Sequence, residues 1–82
     1  MGTRPQHSPS YRRLRTLLRQ WRLDAGLTQR ELGRRLRRPH TFVHKSETGD
    51  RRIDPIEFVR WCRACGQDPA RCISELGYGR RS

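Results

Sequence analysis

The sequence predicts an all-α domain of five short helices. Three observations predict it. Segments open on a capping residue or a proline, and most close at a glycine. Apolar residues recur three and four places apart, and no run alternates as a half-buried strand would. The chain has 82 residues of which 32% are hydrophobic, enough for one small core and no more.

The first helix is expected from Ser10, as N-cap, to about Ala25, with Gly26 as a left-handed stop. Tyr11, Leu14, Leu18, Trp21 and Ala25 form one stripe, widened by Leu17, while Arg12, Arg15 and Arg19 fall on the other side. In "LTQREL", Thr28 and Glu31 make a capping box and Leu27 and Leu32 a hydrophobic staple. This second helix buries Leu32, Gly33 and Leu36 and is over by Arg37. The third lies in "RRPHTFVHKSETG", with Pro39 suited to the first helical position and Gly49 to the stop. The fourth opens with the capping box Asp54–Glu57 and the staple Ile53–Phe58, buries Phe58, Trp61, Cys62 and Cys65, and ends at Gly66. Asp68-Pro69 opens a fifth, "DPARCISEL", ended by Gly77. Residues 10–77 are then the domain, 1–9 a flexible basic arm carrying Arg4 and His7, and 78–82 a basic tail.

Charge is unevenly placed. The net charge is +11. Residues 1–52 hold 14 Arg or Lys against Asp24, Glu31, Glu47 and Asp50, a net of +10, while residues 53–82 hold five arginines against four acids. A solubility device would not be so lopsided, so the first half reads as the footprint of an acidic partner. No stretch approaches a membrane span, and "MGTRPQHSPS" lacks the apolar run of a secretory signal, so a cytoplasmic, nucleoid-associated protein is expected. Cys62 and Cys65 form a C-x-x-C, with Cys72 seven residues on. No fourth ligand stands at a regular spacing for zinc, and no βαβ unit accompanies them. They read as small core residues in a reducing compartment. There is no glycine-rich phosphate loop and no nucleophile–base set. Neither an enzyme nor a cofactor is expected.

The third helix carries the functional signal. At ~100° per residue, Val43, Ser46 and Glu47 share one face, and Thr41, His44, Lys45 and Thr48 the opposite one. His40 projects from the first turn, and Phe42 lies at the edge of the buried face. Such a helix is anchored on one side and presents hydrogen-bonding groups on the other. A DNA major groove admits one α-helix and is read by groups of this kind. The preceding helix and its tight turn supply the other half of a helix-turn-helix.

"AGLTQRELGRRL", "FVHKSETGDRR" and "DPIEFVRWCRACGQDP" together resemble the Cro/lambda-repressor-like helix-turn-helix family over roughly residues 10–77. The resemblance implies a five-helix bundle that binds double-stranded DNA, usually as a homodimer on a palindromic site. It implies base reading by His40, Thr41 and Lys45. It implies backbone contacts by Gln29, Arg37, Arg38, His44, Arg51 and Arg52. Glu47 matches the family's acidic ion-pair residue, with Arg22 as its partner. Three departures stand out. Arg37-Arg38 replaces a usual turn glycine, which would hold a non-glycine residue at positive φ. Ser46 replaces a large apolar residue, leaving space for Phe42 or Trp61. Gly33 replaces the commoner alanine.

The leading expectation is a sequence-specific transcriptional regulator, most simply a repressor. An alternative is a protein-interaction module such as the antitoxin of a toxin–antitoxin pair, with Ile56 and Val59 as an apolar strip for a partner. Nonspecific nucleic-acid binding is a third. It keeps the charge and makes the third helix irrelevant.

Overall fold

The computed structural model describes residues 8–77, which form five helices in the order α1 (Pro9–Asp24), α2 (Gln29–Leu36), α3 (His40–Thr48), α4 (Pro55–Ala64) and α5 (Pro69–Gly77). No strand occurs among the described residues. The expected arm, with Arg4 and His7, and the expected tail 78–82 lie outside them, apart from Ser8 and Pro9.

Two helix starts differ from the sequence expectation. The N-cap of α1 is Ser8, not Ser10: its hydroxyl accepts a hydrogen bond from the Tyr11 amide at 3.1 Å. Pro9 follows at the first helical position, where a missing N–H costs nothing, and Ser10 becomes an exposed helical residue. In α3, Pro39 is the N-cap rather than the first helical residue. Its backbone is extended (ψ 153°), and its carbonyl accepts from the Phe42 amide at 2.9 Å. The capping boxes Thr28–Glu31 and Asp54–Glu57 are both complete, each side chain bonded to the other's backbone amide.

α2 and α3 form the most extensive packed pair, α1 runs against α3, α4 and α5, and α4 packs on α2 and α5. Leu18, Leu32, Val43, Trp61 and Cys62 are fully enclosed at the centre. Trp61 donates its indole N–H to the Leu18 carbonyl at 3.0 Å, which satisfies its one polar atom. Trp21 meets Phe58 edge-on at 5.9 Å and donates its own N–H to Glu75 of α5. The Tyr11 hydroxyl accepts from the Ile53 amide at 2.9 Å, tying the start of α1 to the start of α4.

Ser46 is fully buried. Its hydroxyl donates to the Phe42 carbonyl one turn back at 2.7 Å, and Phe42 packs towards Trp61 with ring centroids 6.3 Å apart. The small residue thus leaves no unsatisfied group, and the aromatic pair occupies nearby space.

Several arginines close helix ends. Arg15 donates to the Thr48 carbonyl, Arg35 to the Ala64 carbonyl, and Arg13 to the Glu75 and Leu76 carbonyls. These are the last carbonyls of α3, α4 and α5, where orphan acceptors and the negative dipole end favour a cation. Arg15 therefore does not lie on the far side of α1. It is half-buried against α3, and its guanidinium covers Gly49, whose φ of 90° a side chain would not tolerate.

In the expected apolar strip, Ile56 is exposed and Val59 half-buried. Ile56 lines a hollow with Leu36, Phe42 and Glu57, whereas Val59 lines another with Phe58, Pro69 and Ile73.

Candidate nucleic-acid interface

The α2–α3 unit positions the polar groups. Phe42, Val43 and Ser46 are buried, which fixes the rotation of α3 and leaves Thr41, His44, Lys45 and Thr48 exposed, with His40 half-buried at its N-terminus. Gln29 stands at the first position of α2. Its side-chain nitrogen lies 3.5 Å from His44 Nδ1, bringing the start of α2 beside the exposed face of α3.

Beneath this face lies an ion pair. Arg22 Nε donates to Glu47 Oε2 at 2.6 Å and Nη2 to Oε1 at 3.0 Å, with the two side chains 8% and 3% exposed. The remaining Arg22 nitrogen donates to the Leu27 carbonyl at 2.9 Å, and Gln29 donates to Glu47 Oε1 at 3.1 Å. A bidentate, charge-assisted pair with further partners offsets the cost of desolvating both charges. It joins α1, the α1–α2 turn, α2 and α3 at one point. A continuous polar chain then runs from the core, through Gln29, to His44 on the surface.

The turn between α2 and α3 is tight. Arg37 has φ 59°, ψ 43°, a left-handed conformation in a non-glycine residue, and the Arg38 amide donates to the Gly33 carbonyl at 2.9 Å. A Cβ on Gly33 would stand 2.8 Å from the Arg38 carbonyl oxygen and 3.3 Å from the His40 backbone. Glycine at 33 is what lets the chain fold back this closely. Arg37 itself is exposed.

Arg38 and Arg51 flank α3 and converge on Glu57. Arg51 donates to both carboxylate oxygens at 3.0 and 3.3 Å, and Arg38 donates to Oε2 at 3.1 Å. Both guanidinium carbons also lie over the Phe42 ring, at 4.4 Å for Arg38 and 4.6 Å for Arg51, a cation–π arrangement. Burial works against the charged form of Glu57, but the hydrogen bonds from Arg51 and the Asp54 amide outweigh it and hold its pKa below the ordinary value. Arg52 is turned the other way, over the Tyr11 ring at 4.9 Å. Phe42 is therefore buried between core and arginines. Glu57 was visible in the sequence only as half of a capping box. Its spacing from Arg38 and Arg51 gives no periodic signal, since both partners reach it across loops.

The cysteines belong to the other half. Cys62, Cys65 and Cys72 are free and buried, and burial pushes the Cys65 thiol up to about 11, with Cys62 and Cys72 also raised. Burial of this kind disfavours the thiolate, the reactive form of a cysteine. No cluster of three metal-ligating side chains occurs among the described residues. No helix there is long and apolar enough to cross a membrane.

Comparison with known proteins places this geometry. Residues 13–72 match the family described as "Helix-turn-helix domain". The fold is similar to a solved XRE-family like protein from Pseudomonas syringae pv. tomato str. DC3000, with a TM-score of 0.86 and 44% identity over 92% of each chain. No curated protein matches. The α2–turn–α3 unit, its exposed polar face and these two matches agree: the chain belongs to the helix-turn-helix family of DNA-binding transcription regulators and is similar to its XRE-like, Cro/lambda-repressor-like members.

Proposed function

We propose that this protein is a non-catalytic, sequence-specific regulator, most simply a cytoplasmic repressor, that lays α3 in the major groove of double-stranded DNA. The observation that carries the reading is the rotation of α3. Its apolar residues and Glu47 are locked inward, and Thr41, His44 and Lys45 are held outward on the most basic half of the chain. Lys45 donates to guanine O6 and N7. Thr41 donates, accepts or touches a thymine methyl, and His40 reads from the helix end. Gln29 and His44, already hydrogen-bonding neighbours, contact the strand beside them. Arg37, Arg38 and Arg51 supply phosphate contacts on either side of α3, whereas Arg52, turned over the Tyr11 ring, stands apart from them. Two copies on a palindromic site are the simplest assembly for such a reader.

The experiment is a salt titration of duplex binding. With about four to six phosphates contacted per subunit, log K falls against log[salt] with a slope of about −0.9 per phosphate. A slope near zero contradicts the reading.

A further inference from the structure

Glu57 lies in the first turn of α4, outside the helix-turn-helix proper, yet it is the point on which both flanks of α3 converge. Arg38 comes from the turn before α3 and Arg51 from the loop after it. Counting its bonds, Oε1 accepts from Arg51 Nη1 and the Asp54 amide, and Oε2 accepts from Arg38 Nη2 and Arg51 Nη2. That fills the four or so acceptor sites of a carboxylate. The Glu57 side chain is 11% exposed, whereas Arg38 and Arg51 are 43% and 35% exposed. The carboxylate is shielded and the cations remain at the surface. Each guanidinium keeps N–H groups beyond those given to Glu57, because Arg51 spends two of its five and Arg38 one.

We propose that Glu57 is a specificity-determining positioning residue: it fixes Arg38 and Arg51 against Phe42 so that their phosphate contacts form only when α3 is in register with the bases. The inference rests on the DNA-binding reading above. Two long, free arginines would neutralise phosphates in any register and so favour every sequence alike. Tied to one carboxylate and stacked on one ring, they present their charge at fixed places relative to α3. Glu57 also cancels one of the two charges, which lowers attraction for random duplex. The chemistry explains why the group is a carboxylate that reaches across from α4. A cap alone needs only an acceptor for the Asp54 amide, which glutamine also provides.

The test uses E57Q. Its amide oxygen keeps the cap acceptor, while the negative charge and the bidentate pairing with Arg51 are lost. Affinity is measured for a selected site and for random duplex, each across a salt series, with the melting temperature as the check on folding. The expected result is tighter binding to random duplex, a salt slope steeper by about one, and a selected-to-random ratio about tenfold lower. R51K serves as a second variant, because it keeps the charge without bidentate pairing. It should lower the ratio with little change in slope, and it decides the matter if E57Q fails to fold. A wild type that prefers its selected site, with an unchanged ratio in the folded variants, overturns the role of Glu57 alone. A wild type without sequence preference overturns the functional reading and this inference with it.

Discussion

The α1–α3 half and the α4–α5 half share one hydrophobic core but differ in the buried charge they carry. In the first, a buried ion pair lies beneath the polar face and Arg15 closes the end of α3. In the second, Phe58, Trp61 and three thiols provide a core with little charge in it. The difference teaches that a basic count overstates a DNA footprint. Arg22 is consumed by Glu47, Arg38 and Arg51 share Glu57, and Arg13, Arg15 and Arg35 close helix ends. The same charges that suggest nucleic acid also build the surface that would meet it.

If the first half depends on its buried charges, breaking one should have the largest effect. Glu47→Ala leaves the Arg22 guanidinium enclosed without its carboxylate, a loss of roughly 3–5 kcal/mol. In a chain of 82 residues that is a large share of the total stability. Chemical denaturation followed by circular dichroism reads it. A variant that melts within a degree or so of wild type makes the pair surface decoration.

The turn offers a smaller effect of opposite sign. Arg37 sits at φ 59°, which costs a non-glycine residue roughly 1–2 kcal/mol. Arg37→Gly should recover part of that and raise the melting temperature, while weakening binding and making the salt slope shallower by about one. If stability falls instead, the arginine side chain contributes more than its backbone strain costs.

The buried thiols of the second half should respond only to packing. Cys62→Ala removes one buried atom of about methylene size, so a loss on the order of 1 kcal/mol is expected, with binding unchanged after correction for folding. Stoichiometric zinc found in purified protein would overturn the core reading of the thiols. Acid gives the most graded comparison. The folded pKa of Glu57 lies below its ordinary value, so its contribution is present above the ordinary carboxylate range and is lost as pH falls through the folded value. E57Q should show a shallower loss of stability over that window. Parallel acid titrations would assign the stabilisation elsewhere.

Much of the fold was legible because it is punctuated locally. Capping boxes, glycine stops and a periodic stripe act within a few residues of themselves, so Thr28–Glu31, Asp54–Glu57 and the α1 stripe could be read directly. The α1 start was misplaced because Ser8-Pro9-Ser10 offers two serine caps, and only the proline's preference for the first helical position separates them. The polar face of α3 followed from helical periodicity, and the Arg22–Glu47 pairing from family resemblance. The Glu57 convergence and the capping role of Arg15 were not legible. Each depends on how helices distant in sequence are set against one another. The need for glycine at 33 is of the same kind, since its Cβ would strike the carbonyl of a residue beyond the turn.

The central claim is that the exposed face of α3 reads bases. The direct test is a parallel selection from random duplexes with wild type and Lys45→Ala. The account predicts a palindromic consensus for wild type. The variant should show a relaxed preference at one base pair and a loss of about 1–3 kcal/mol on the wild-type site. Identical preferences from both proteins, or no preference from either, would contradict it.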